Sequence, residues 1–277
     1  MKKITLALIT LVFVISLNAQ ELTTKNGIPI LPQAGDFSMG IDAAPFLFYI
    51  GNMVNMNSNN TPPTWSYSAN NPFQLTGKYM IDNHTAYRGI FRIGISSNKY
   101  KAYSIKDEQA DPAITVEDSY KDFRSFIGLG AGMEKRRGKG RVQGIYGAMG
   151  MISFGSRKES YSYGNTFGTS NRAPTRHNFG GNNQGNTWVL EDKAGTAFGI
   201  DAWAFVGVEY FFTAKMSISG EFKYGLSYEV AGDGNSKIET WDNTNNVVKV
   251  VDSKTAGYSY FSFDNGIAAA LNLNFYF

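Results

Sequence analysis

The last twenty residues, Tyr258 to Phe277, alternate between two kinds of side chain. Phe261, Phe263, Ile267, Ala269, Leu271, Leu273, Phe275 and Phe277 share one parity; Asp264, Gly266, Ala268, Ala270, Asn272, Asn274 and Tyr276 share the other. A period of two marks a strand with one apolar face and one small or polar face. This stretch outruns the typical strand of about five or six residues in a water-soluble protein. In water its apolar side would form a patch too large for a monomer, whereas in lipid it is an ordinary outer face. The expectation is a membrane-spanning strand.

Seven upstream stretches repeat the pattern. Residues 36–49 set Phe37, Met39 and Ile41 against Ser38, Gly40 and Asp42, and Pro45, which cannot donate to a ladder, predicts a bulge or the strand's rim. Residues 73–82 set Phe73, Leu75, Tyr79 and Ile81 against Gln74, Thr76, Lys78 and Met80. The third strand sets Tyr87, Phe91, Ile93 and Ile95 against Arg88, Ile90 and Arg92. The fourth sets Phe123, Ile127, Leu129 and Met133 against Arg124, Phe126, Gly128, Gly130, Gly132 and Glu134. The fifth places Val142, Tyr146, Ala148, Ile152 and Phe154 outward. The sixth backs Phe198, Ile200, Val206, Val208, Tyr210 and Phe212 with Asp201, Trp203, Phe205 and Glu209, and the seventh backs Met216, Ile218, Phe222, Tyr224 and Leu226 with Ser217, Ser219, Glu221 and Lys223.

The links alternate in length. Residues 82–84, 135–140 and 213–215 make short turns; 50–72, 98–121, 155–195 and 229–257 make long loops. An even strand count with short periplasmic turns and long extracellular loops is the rule of outer-membrane barrels. The predicted fold is all-β: an eight-stranded antiparallel up-and-down transmembrane β-barrel with three short periplasmic turns and four long extracellular loops.

On this pattern the chain resembles the small eight-stranded outer-membrane barrels of the OmpA/OmpX type. Its last strand is similar to that family's assembly signal, which ends in alternating hydrophobic or aromatic residues. Leu273, Phe275 and Phe277 match, while Asn272 stands where the family usually carries glycine. The resemblance implies a cell outer membrane location, outer-membrane lipid around the barrel, and the barrel-assembly machinery as a partner during insertion. It does not extend to the peptidoglycan-binding domain that some members append.

Composition narrows the picture further. Residues 1–19 read as a signal peptide, with Lys2 and Lys3 before an apolar stretch and cleavage expected after Ala19, leaving 20–277 as a single barrel domain. Losing those two lysines takes the formal charge from +3 to +1, which offers no electrostatic footprint for nucleic acid. Cysteine is absent, which excludes a lipid-anchoring thioether, disulfides and thiolate metal sites. No run of eighteen apolar residues follows the leader, so no membrane helix is predicted. Aromatic residues at 14% suit the girdles of a barrel.

The inward positions collect Lys78, Arg88, Arg92, Arg124 and Lys223 together with Asp42, Glu134, Asp201, Glu209, Glu221 and Asp264. An eight-stranded barrel is just wide enough for side chains to fill, and charges confined there must pair. These residues are therefore expected to form a structural polar network. Gly128, Gly130 and Gly132 make room for bulky neighbours; no helix follows them, so they are not a phosphate loop. The basic run 135–141 is expected to lie in solvent or against lipid phosphates.

Catalysis would need a histidine beside a serine near the outer rim. His84 falls in a short turn and His177 in the third long loop, with Ser156, Ser160, Ser162 and Asp192 nearby but no supporting spacing. No catalytic, cofactor or metal site is expected. Segments 100–106 with 113–120, and 237–241 with 247–251, predict hairpins that protrude beyond the barrel. The third loop carries Tyr161, Tyr163, Phe167, Phe179 and Trp188, a composition suited to protein or glycan contact or to packing the loops together. The expected function is non-enzymatic: a barrel presenting extracellular loops for binding, adhesion or envelope interaction. A narrow small-solute channel and an accessory subunit of a larger outer-membrane complex are the alternatives.

Overall fold

The computed structural model describes residues 22–55 and 60–277, with backbone alone at 184 and 264–269. The expected signal peptide lies outside the described residues, as does the side chain of Asp264. In chain order the elements are β1 (Phe37–Asp42), α1 (Ala44–Val54), β2 (Phe73–Asp82), β3 (Thr85–Ile105), β4 (Thr115–Arg137), β5 (Val142–Ser162), β6 (Asn183–Gln184), β7 (Thr187–Lys193), β8 (Ala197–Thr213), β9 (Met216–Ala231), β10 (Gly234–Asp242), β11 (Val247–Thr255) and β12 (Tyr258–Tyr276). All pairings are antiparallel, and the chain runs up and down the sheet.

Eight strands follow a path that returns on itself: β1 to β2, β3, β4, β5, β8, β9, β12 and back to β1. The sheet is ring-like. The sheet has twelve strands where eight were expected, because two long loops are themselves pleated. β7 adds to the upper end of β5, β10 to β7, β11 to β10, and β6 to β7. Where β5 outlasts β8 its edge carries unpaired N–H and C=O groups, and the loop segments satisfy them.

The two faces of the ring divide by parity. Thr76, Lys78, Met80, Arg88, Glu134, Phe205, Glu209 and Glu221 point inward and are buried, while Tyr79, Tyr87, Leu129, Ile152, Val206, Val208 and Phe222 point outward and are exposed. Buried charge inside exposed apolar surface inverts the usual order of a water-soluble protein.

Closure is partial because β1 is short. The strand expected over 36–49 ends at Asp42, and Pro45 opens α1 rather than forming a bulge. A fixed φ and a missing N–H suit the first turn of a helix, where that donor has no partner anyway. Above Asp42 the ring is no longer closed by β1. Ala43 N–H still donates to Leu271 O (2.9 Å), while Ile95 N–H donates to Tyr67 O (2.6 Å), so residues 65–71 run along the β3 edge above β2. The short-turn end is stoppered by the segment before β1. Ile30 packs there with Met80, Ala86, Phe211 and Tyr276, all of them buried.

Candidate functional site

Three layers stack along the ring axis above that stopper. The lowest is an ionic network. Glu209, fully buried, accepts from Lys78 Nζ (3.2 Å), Arg136 Nη2 (2.6 Å), Tyr276 Oη (2.9 Å), Asn274 Nδ2 (3.2 Å) and Ser217 Oγ. Glu134 binds Lys78 and the Nε of Arg136 (2.9 Å). Arg88 donates to Glu221 (2.9 Å), and its Nη1 stands 3.3 Å from Glu134 as a charge contact without hydrogen-bond geometry. The guanidinium of Arg88 lies over the Phe205 ring at 4.3 Å. Three cations and three carboxylates thus close on one another, tying β2, β3, β4, β8, β9 and β12 across the interior.

Glycines make room for bulky inner side chains beside the network. A Cβ at Gly132 would collide with the Ala148 carbonyl and Met149, and one at Gly225 would collide with Trp203.

The middle layer is a cavity of about 420 Å³ lined by Gln74, Arg92, Met151, Asp201, Trp203 and Lys223, among others. Arg92 stacks over Phe126 (5.3 Å) and Lys223 over Trp203 (5.7 Å). Phe126 and Arg124 also line a vestibule of about 400 Å³ at the long-loop end.

Of the eleven inward charges expected from the sequence, Lys78, Arg88, Glu134, Glu209 and Glu221 meet in the network, and Arg92, Asp201 and Lys223 line the cavity above it. Two depart. Asp42 is exposed and accepts from Ala44 N–H (2.9 Å), because the chain leaves the sheet at that point. Arg124 pairs with its neighbour Asp122 (3.1 Å) at the half-exposed vestibule. One network member was assigned elsewhere: Arg136, read as part of an exposed basic turn, is buried because β4 runs on to Arg137. It shares the even parity of Glu134, which was the available signal. Tyr276 was assigned to the inner face without a partner; its hydroxyl belongs to this network.

The top layer is a cap made by the protruding hairpins and the third loop. The inward parity of β3, β4 and β5 continues upward into a tyrosine ladder. Tyr100 stacks on Tyr120 (5.7 Å) and Tyr120 on Tyr161 (4.8 Å), and Phe179 covers both Tyr120 and Tyr161. Behind it Phe167, Trp188 and Trp241 form a buried cluster with Tyr163. Arg176 lies over Tyr163 (4.5 Å) and Phe167 (4.7 Å) while pairing with Glu239 (2.8 Å). Asp118, fully buried, accepts from Ser104 Oγ (2.7 Å), Gly164 N–H (2.8 Å) and His177 N–H (2.7 Å), stapling the third loop to β4. Burial raises the Tyr120 and Tyr163 hydroxyls to about 12, and Tyr161 higher still, with Glu159 adding to the effect at Tyr120 and Tyr161.

A scan of protein-family models finds no match to this chain, and a search of curated proteins finds no similar sequence. Its chemistry therefore rests on its own side chains. The His177 ring packs edge-on against Phe179 (4.7 Å), away from any serine hydroxyl partner among the described residues. The described residues contain no group of three or more His, Asp or Glu side chains placed to hold a metal. No described helix is long and apolar enough to cross a membrane, which leaves strands untouched as a means of crossing.

Proposed function

We propose that the chain is a non-enzymatic eight-stranded outer-membrane β-barrel whose long loops form a folded extracellular cap for recognising a protein or glycan. The observation that carries this reading is the cap's own buried core. Phe167, Trp188 and Trp241 pack together and Asp118 anchors the third loop, so the loops present a fixed surface rather than separate strands of chain. A rigid scaffold displaying irregular loops is the usual arrangement of binding surfaces. The membrane part is supported by the exposed apolar belt around a charged interior. The helix α1 adds to it, exposing Phe48, Met53 and Val54 with no charged residue along its length.

The test is a mild-detergent pull-down from native outer membranes, with mass spectrometry of what stays bound and a parallel glycan-binding assay on the purified protein. A stoichiometric partner or glycan lost in an Asp118→Ala variant supports recognition by the cap. Absence of any partner and any glycan signal overturns it. A flat outward patch, where Ala148 pairs with Ala204 and Gly150 with Ala202, favours a second reading as an accessory subunit of a larger barrel. That reading predicts a partner retained in Asp118→Ala and lost in Ala204→Trp.

A further inference from the structure

The outer face of β3, β4, β5 and β7 changes character in steps toward the long-loop end. Ile95, Ile127 and Phe154 belong to the exposed apolar belt. Two positions beyond Ile127 and Phe154, Ser125 and Ser156 face each other with their hydroxyls 2.8 Å apart. Beyond them stand Lys99, Lys121, Lys158 and Lys193. The register sets Lys99 directly opposite Lys121, and Lys158 directly opposite Lys193. Like charges at directly opposed positions destabilise a strand pair. Glu191 reaches Lys158 (2.8 Å) and Glu117 reaches the neighbouring Lys101 (2.8 Å), whereas Lys99, Lys121 and Lys193 form no ion pair among the described residues. Asp122, Glu159 and Asp192 share the opposite parity, and Asp264 stands on β12, which pairs with β1 and β9 alone. The lysines are also confined to one side of the ring. β1, β8 and β12 contain no cationic residue, and Lys78 of β2 and Lys223 of β9 point inward.

We propose that this lysine patch docks the phosphate-bearing headgroup of a lipid at the long-loop end of the barrel. The inference rests on the barrel reading above and is independent of what the cap recognises. A phosphate set between two opposed ammonium groups turns their repulsion into attraction, and its oxygens accept from both. The apolar belt directly below gives the acyl chains of the same molecule a wall to lie against. Lys99 lies four residues beyond Ile95 and Lys158 four beyond Phe154, about 13 Å along a strand. Strand tilt and a lysine stem lying along the wall bring the charge and the belt within reach of one lipid. An acidic protein partner would need no belt beneath the lysines; the continuity of the two surfaces favours lipid.

The test follows lipid retention by native mass spectrometry of the full chain folded in a non-ionic detergent. Phosphatidic acid and phosphatidylcholine with identical acyl chains are titrated into the micelles. Phosphatidic acid is expected to bind saturably, and phosphatidylcholine at least about tenfold more weakly. The double variants Lys99→Gln/Lys121→Gln and Lys158→Gln/Lys193→Gln should each raise the half-saturating concentration by about tenfold or more, while Lys249→Gln on β11 leaves it unchanged. Lys121→Glu separates binding from folding. It should abolish retention of phosphatidic acid yet raise the urea midpoint in neutral micelles, because it replaces an opposed like-charge pair by an ion pair. Equal retention of the two lipids, or an affinity untouched in both double variants, overturns the proposal. So does complete displacement by millimolar inorganic phosphate, which assigns the lysines to the free anion. Insertion into phosphatidylcholine vesicles tests the barrel reading separately. Failure to insert removes that reading and this site with it, whereas insertion without a preference for phosphatidic acid overturns the site alone.

Discussion

Single side chains set how firmly the interior is braced. Glu209 gathers donors from β2, β4, β9 and β12, so its removal leaves Lys78 and Arg136 buried with Glu134, which Arg88 also approaches, as their remaining carboxylate among the described residues. Breaking one side of a buried ion network costs about 3–5 kcal/mol. Glu209→Ala is expected to destabilise the ring by that order, measured as a lowered urea midpoint in micelles. Asp118 plays the matching part in the cap, held by three hydrogen bonds and by no ion pair among the described residues. Each charge-assisted bond is worth about 1.5–3 kcal/mol. Asp118→Ala should therefore free the third loop, read as new protease cleavage between residues 163 and 182 with the ring still intact. The ladder tyrosines add a pH dependence. Their folded values lie above the ordinary value of 10, so the neutral form is favoured by folding. That contribution is fully present below pH 10 and is lost as pH rises toward about 12. Phenolate absorbance should show delayed ionisation, with cap protease resistance falling through the same window.

At the scale of elements, the ends of strands decide where charge and apolar surface go. The run of β4 past Glu134 to Arg137 turns Arg136 from a solvent cation into a buried brace, and the end of β1 at Asp42, short of the expected residue 49, sends Asp42 out of the interior. The third loop is held by Arg176, whose planar cation covers two aromatic rings and pairs with Glu239 on β10. Arg176→Lys keeps the charge but cannot reproduce both contacts from a single ammonium. It is expected to loosen β10 from the third loop, seen as faster amide exchange at Trp188 and Trp241 with unchanged exchange in β8 and β9.

For the whole molecule, two barriers in series lie across the axis: a neutralised ionic layer and the apolar stopper of Ile30, Met80 and Phe211. The barrel reading then predicts no stepwise conductance in planar bilayers. Removing the ionic layer alone, through Glu209→Ala, should leave the bilayer silent because the stopper remains. Stepwise conductance by the unaltered chain would favour the small-solute channel instead.

Much of this was legible in the order of residues. Period-two alternation is a local property, so the faces of β2, β3, β4, β5, β8 and β9 and the alternation of short and long links follow from sequence alone. The buried position of Lys78, Glu134, Glu209 and Glu221 follows from the same parity. Which of them touch does not. Arg136 and Glu209 lie 73 positions apart, and Tyr276 and Glu209 lie 67 apart; they meet only because the ring brings β4, β8 and β12 to one level. The loops show the same division. Their hairpins are visible as alternating segments, but their attachment to β5 depends on an edge that exists only once β8 has paired and ended. Local chemistry chose the faces, and closure of the sheet, a non-local event, chose the contacts between them.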